Sequence, residues 1–132
     1  MNIHDHFTRM EERLNAFPLT VSSGLEIERI DIDKGYMKSK TIFADGSELH
    51  LFQFVEIKDE QPMIEKYRYH YQDENGALIK RWDNAKHHPE IDTFPDHIHV
   101  GGEIKNSSRP DIEGLLAEIT NHIRYRDRNS FS

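Results

Sequence analysis

Three tyrosines at alternate positions, Tyr67, Tyr69 and Tyr71, run toward Asn75–Gly76, and a second strand-like segment, ALIKRW, follows. That pattern leaves the stretch little choice but a β-hairpin. Asn and Gly tolerate the positive φ angles of a two-residue type I′ loop. With those two residues as the loop, Arg68 lies opposite Asp83, Tyr69 opposite Trp82 and His70 opposite Arg81. Side chains alternate across a strand, so one face carries the tyrosines and Trp82. The other carries Arg68, His70, Arg81 and Asp83, an unusually charged set. A slip of one residue would exchange the two faces.

The flanking segments supply a cover for the aromatic face. Ile3, Phe7, Met10 and Leu14 recur at helical spacing, which predicts a helix over 3–16 that Pro18 stops. Near the other end, Ile112, Leu115, Leu116, Ile119 and Ile123 form an apolar stripe through about residue 124. Ser108 is its expected N-cap, with Pro110 in the first turn and Asp111 close to a capping box. Residues 124–132 are expected to fray.

Between the helices the period is two. Leu25 and Ile27 alternate with charge, then Ile30 and Ile32 do so in the opposite phase, predicting a bulge near Glu28–Arg29. Lys34–Gly35 reads as a turn, residues 36–43 as a strand, and Asp45–Gly46 as a hairpin loop. LHLFQFVEI is a strand that Asp59 to Pro62 interrupts. Residues 84–96 look irregular. HIHV is a short strand with Ile98 and Val100 inward and His97 and His99 on the opposite face, ended by Gly101–Gly102. The expected fold is α+β, one domain over residues 1–132. A single, mostly antiparallel sheet of five or six strands packs with an N-terminal and a C-terminal helix on one face.

The formal charge of −7 argues against an indiscriminate nucleic-acid coat, though not against a local basic groove. The absence of cysteine excludes disulfides and thiolate metal sites. Nothing approaches the roughly 18 apolar residues of a membrane span, so a cytoplasmic chain is the default expectation.

The chemistry concentrates between Trp82 and Val100, WDNAKHHPEIDTFPDHIHV, which holds four of the nine histidines. Imidazole exchanges protons near neutral pH, with an unperturbed pKa of about 6.5. Pro89 and Pro95 stiffen the segment. Glu90, Asp92 and Asp96 lie among the histidines. His97 and His99, on one side of a strand, can hold a divalent metal if a third ligand arrives from His88, Glu90, Asp92, Asp96 or Glu103. The spacing through Glu103 matches part of a cupin motif, but the flanking glycines are missing and too few strands follow. Without metal, two histidines can serve as base and acid in RNA cleavage by the 2′-hydroxyl. Such groups typically contribute about 10²–10⁴-fold. Arg68, Arg81 and Lys80 can bind phosphate, and Tyr69 and Trp82 offer flat surfaces for bases. The plainer alternatives are tyrosines that pack a core, an Arg68–Asp83 cross-strand ion pair, and histidines exposed at a sheet edge. His4, His6, His50 and His122 have no neighbours that suggest chemistry.

The run YRYHYQDENGALIKRWDNAKHHPEIDTFPDHIHV resembles the TumE-like proteins of bacterial and archaeal toxin–antitoxin pairs. Members tend to carry a YRYHW-like strand, a hairpin, RWDNAPHH and a HPEI…FPHHKH-like segment. These correspond to residues 67–71, 81–88 and 89–99. The family motif has a second histidine where Asp96 stands, which leaves His88, His97 and His99 as the stronger candidates. The resemblance implies a small toxin encoded beside a helix-turn-helix antitoxin. Combined with the site chemistry, it leads to the expectation of a ribonuclease that needs no metal or cofactor. His88 and His97 would be acid and base, His99 a third member, Arg68 and Arg81 phosphate binders, and Tyr69 a stacking or positioning group. The rivals are a non-catalytic protein-binding module and a metal-dependent hydrolase built on His97 and His99. A homo-oligomer stays open.

Overall fold

The computed structural model describes residues 1–129, with side chains to Asp127. Helix α1 (Ile3–Ala16) matches its expected bounds. Asn2 caps it, and Asn2 and Asp5 satisfy each other's backbone N–H groups in a capping box. Seven strands follow: β1 (Thr20–Asp31), β2 (Lys34–Phe43), β3 (Glu48–Lys58), β4 (Gln61–Gln72), β5 (Leu78–Asp83), β6 (His97–Val100) and β7 (Glu103–Asn106). Helix α2 (Ile112–Asn129) ends the described chain. The strands pair in sequence order, each antiparallel to the next, as one seven-stranded meander. The expected five or six strands fall short by β7. Gly101 and Gly102, both at positive φ, turn the chain back into pairing rather than ending the sheet.

Both helices pack on one face of the sheet, and Arg13 of α1 reaches Glu113 of α2 at 2.5 Å. Ile3, Phe7, Met10 and Leu14 from α1 meet Leu115, Leu116, Ile119 and Ile123 from α2 in a common core. From the sheet come Met37, Leu49, Leu51, Val55, the three tyrosines, Trp82 and Ile98. Period-two burial along β2 and β3 leaves the opposite face without a helical cover.

The register of the tyrosine hairpin is the expected one: Arg68 opposite Asp83, Tyr69 opposite Trp82, His70 opposite Arg81. It is reached differently. Only Gly76 has positive φ in that loop. Asp73 and Ala77 close a three-residue loop, and the Asp73 carboxylate accepts from the Asn75 and Ala77 amides. A bulge between Tyr71 and Gln72 on one side and Leu78 and Lys80 on the other restores the register.

Other boundaries shift for local reasons. The β1–β2 turn is Ile32–Asp33, because Lys34 already pairs with Asp31. Gly35 lies inside β2, where a Cβ would sit 2.6 Å from the Glu28 carbonyl oxygen. The phase slip of β1 falls between Arg29 and Asp31, and a second lies between Thr20 and Ser22. Asp59 and Glu60, both at positive φ, make the whole β3–β4 turn. Pro62 is therefore in β4; β5 pairs only from Arg68 onward, so that end is an edge where proline is tolerated. Asp111, not Ser108, caps α2: its carboxylate accepts from the Gly114 amide at 2.8 Å. The helix continues to Asn129, past the expected end. The last part of the expected frayed tail, residues 130–132, lies outside the described residues. No described helix is long and apolar enough to cross a membrane.

Leu115 is fully buried, so Leu115→Ala is expected to cost about 2–5 kcal/mol in denaturant unfolding. Burial also holds His6, His70, His99 and His122 below the ordinary histidine value. The unfolded chain then takes up protons more readily. Stability from these groups is fully present above about pH 6.5 and is lost as pH falls through their folded-state values. Thermal melts should show that loss. His6→Gln should reduce its slope, since His6 is buried against Gln53 with Nε2 and Oε1 2.9 Å apart.

Candidate functional site

β5 and β6 set the geometry. Arg81 pairs with His99, and Asp83 with His97, so all four side chains belong to the uncovered face. Each residue of the WDNA run has its own task. Trp82 points into the core. Asp83 sits at the end of β5, its carboxylate accepting from the Ala85 amide at 3.0 Å. Asn84 accepts from the Tyr67 amide and donates to the Glu65 carbonyl, which ties the start of the loop to β4.

The loop of residues 84–96 folds back by successive turns: Ile91 N–H to His88 O, Phe94 N–H to Ile91 O, and Asp96 N–H to Thr93 O. The Phe94–Pro95 peptide bond is cis. Thr93 donates to the Asp96 carbonyl and accepts from the Ser107 amide. Tyr67 donates its hydroxyl to Asp96 at 2.7 Å. Burial and the facing carboxylate both push the Tyr67 phenol up, so it stays a donor. Asp96, at the position where the resembling motif has histidine, therefore anchors the loop.

This folding returns His88 to the strand. Ring centroids are 5.2 Å apart for His88 and His97, 6.0 Å for His88 and His99, and 4.9 Å for His97 and His99. One ligand-capable nitrogen of each lies within 4.8 Å of the others. His97 is the deepest, only 2% exposed, while the His88 and His99 side chains are each 26% exposed. The histidines open onto a cleft of about 510 Å³ whose wall includes Lys38, Lys66, Arg68 and Arg81.

Asp83 is the centre of the cluster. Its carboxylate lies 2.9 Å from His97 Nε2 and 3.4 Å from His99 Nε2, and those two nitrogens are 3.2 Å apart. His97 Nδ1 is 2.9 Å from the Pro95 carbonyl oxygen. A carbonyl only accepts, so Nδ1 carries a hydrogen. A neutral His97 would then turn its Nε2 lone pair toward a carboxylate. Removing a carboxylate from water without a compensating cation costs several kcal/mol. A hydrogen or a bound cation between these atoms would satisfy both of them. A metal-bound imidazole commonly donates its other N–H to a backbone carbonyl, the bond His97 makes to Pro95.

The structure thus brings together His88, His97, His99, Arg68 and Arg81. It leaves Tyr69 out. Tyr69 is 2% exposed on the helix-covered face, and its hydroxyl accepts from the Gln53 amide at 2.8 Å. The packing alternative holds for that residue, because its strand position faces the core. The proposed carboxylate partners also disperse. Glu90 is exposed, 3.4 Å from His88; Asp92 bonds Asn106 through its amide; Glu103 pairs with Lys105 on β7. Asp83 supplies the carboxylate instead, and it makes no ion pair with Arg68 among the described residues. Register could have found it: once HIHV pairs with β5, Asp83 must face a histidine.

Burial lowers the His99 pKa, Asp83 works against that, and His97, Arg81 and His88 add to the lowering. Asp83→Asn removes the opposing charge. The His99 titration followed by NMR should then move further down in pH. A midpoint that stays or rises contradicts the geometry.

Comparison with known proteins adds the family. No match was found among curated proteins or among solved structures. Residues 10–127 match the family model described as Toxin TumE. The match covers the second half of α1, the whole sheet with the tyrosine hairpin and the histidine cleft, and α2 as far as Asp127. It carries a toxin role and implies an antitoxin partner. The chain belongs to the Toxin TumE family.

Proposed function

We propose that this toxin acts by cleaving RNA at the histidine cleft, with a helix-turn-helix antitoxin as its partner. One observation carries the reading: three imidazoles lie with 4.9–6.0 Å between ring centroids in an open cleft walled by lysines and arginines. RNA self-cleavage chemistry needs little more. A base takes the 2′-hydroxyl proton, the 2′-oxygen attacks phosphorus, and an acid protonates the departing 5′-oxygen. Cations hold the phosphate, and Arg can do so through two parallel hydrogen bonds.

Accessibility reassigns the roles expected from sequence. His88 and His99 are the half-exposed pair that can meet a substrate. His99 is held neutral to a lower pH than an ordinary histidine, mainly by burial, which suits a base. His88 is then the acid, its Nδ1 3.4 Å from Glu90. Buried His97, between Pro95 and Asp83, is a positioning residue that fixes the floor beneath the pair. Arg81 and Arg68 bind the phosphate.

A second reading is favoured by the convergence of His97 Nε2, His99 Nε2 and the Asp83 carboxylate at 2.9–3.4 Å. Such spacings suit neighbouring ligands of one divalent ion, with metal–ligand distances of about 2.0–2.2 Å. His88, His97 and His99 form a set of three imidazoles, with the Asp83 carboxylate beside two of them. A metal held there would supply Lewis acidity at the same phosphate.

Induced expression should arrest growth and degrade cellular RNA, and His99→Ala should abolish both with the fold intact. Survival of arrest in that variant removes the catalytic role. Protein purified without a nickel column should keep its RNA cleavage in chelator. Loss in chelator, restored by zinc or manganese, selects the metal reading.

A further inference from the structure

The uncovered face of the sheet continues beyond the histidine cleft. Strand pairing lines up two rows across it. One runs Lys38, Phe52, Arg68, Asp83, His97; the other runs Lys40, His50, His70, Arg81, His99. The rows start on β1 with Glu26 and Gly24, and beyond the histidines they reach Asn106 and Ile104 on β7. Beside the first lie Tyr36, Phe54 and Lys66, also paired in register. Adjacent strands are about 4.8 Å apart, so the row from Lys38 to His97 crosses about 19 Å. A second cleft, of about 580 Å³, lies over β1 to β4 and shares Lys38, Phe52 and Arg68 with the first. The two clefts form one continuous track.

Of the cations on this face, Lys40 is paired with Glu48. Lys38, Lys66 and Arg68 are exposed and have no ion-pair partner among the described residues. These three cations cluster on the uncovered face, with Glu26 opposite Lys38 at its β1 edge, in a chain whose net charge is −7. Phe52 stands between them, a half-buried ring on a sheet face that no helix covers, with its centroid 6.2 Å from Tyr36.

We propose that this face binds single-stranded RNA and delivers it to the histidine cleft. Lys38, Lys66 and Arg68 take successive phosphates, and a base stacks on Phe52. The inference rests on the RNA-cleaving reading for the nature of its ligand. Cations interleaved with a half-buried aromatic on an open sheet are a chemistry suited to single strands: phosphates meet charge, and every base has a face to stack. A duplex hides its bases, so it cannot use Phe52.

The test is binding of a fluorescent, fully 2′-O-methylated oligoribonucleotide, which cannot be cleaved by its own 2′-oxygen. Anisotropy should show binding by the wild-type chain and much weaker binding of the corresponding duplex. Phe52→Ala should weaken binding about 5- to 150-fold, the measured range for one stacked base, and Phe52→Trp should retain it. The double variant Lys38→Ala, Lys66→Ala should flatten the plot of log affinity against log salt by about 1.4, at about 0.7 per lost phosphate contact. Circular dichroism of each variant establishes folding. Wild-type protein that does not bind, a duplex that binds equally, or variants that bind like wild type each overturn the track. The readout needs no cleavage, so the readings separate. Binding as described without any RNA cleavage sinks the nuclease reading alone; cleavage with Phe52-independent binding sinks the track alone.

Discussion

The Asp83 carboxylate, buried at the end of β5, sets the terms for the cleft around it. A lone carboxylate at that depth is costly. It accepts from the Ala85 amide and lies within ion-pair distance of two imidazole nitrogens, His97 Nε2 and His99 Nε2. Those contacts exist only because β6 pairs with β5 in the register that faces Asp83 with His97. His97 in turn fixes the Pro95 carbonyl, the end of the loop that brings His88 back. The site follows from one carboxylate that two histidines face at the floor of the cleft.

The layering of the fold explains why that charge sits beside open space. Both helices spend their apolar stripes on the tyrosine and tryptophan face of the sheet. No third layer remains for the other face, and the loop of residues 84–96 covers only its β5–β6 end. Asp83 and His97 are buried under that loop, while His88 and His99 lie at its margin. The boundary between covered and uncovered sheet is where acid–base groups can be both tuned by burial and reachable. It is also where cations of β2 and β4 converge.

Much of this was legible because strands have period two. The faces of the Tyr67–Tyr71 strand, the opposed pairs across the hairpin, and the shared side of His97 and His99 all follow from alternation. Residues whose roles depend on three-dimensional return were not legible. The eight positions between His88 and His97 have no period, and their turns are held by Thr93, Asn106 and Ser107, which no local pattern singles out. The hairpin alone sets Asp83 opposite Arg68, and the partner it meets comes from β6. Tyr69 carries the right atoms for stacking a base, but it lies on the covered face. Strand β7 was hidden by two glycines that read as an ending. Lys38 and Phe52 join the cleft only through pairing across β2, β3 and β4.

The central claim is that imidazoles in this cleft move the protons of an attack by the RNA's own 2′-oxygen. The ends of the RNA fragments report that step directly. Purified protein acting on a defined oligoribonucleotide is expected to leave a 2′,3′-cyclic phosphate on one fragment and a free 5′-hydroxyl on the other. Fragments bearing a 5′-phosphate and an unmodified 3′-hydroxyl would contradict it, because a water molecule would then have been the nucleophile.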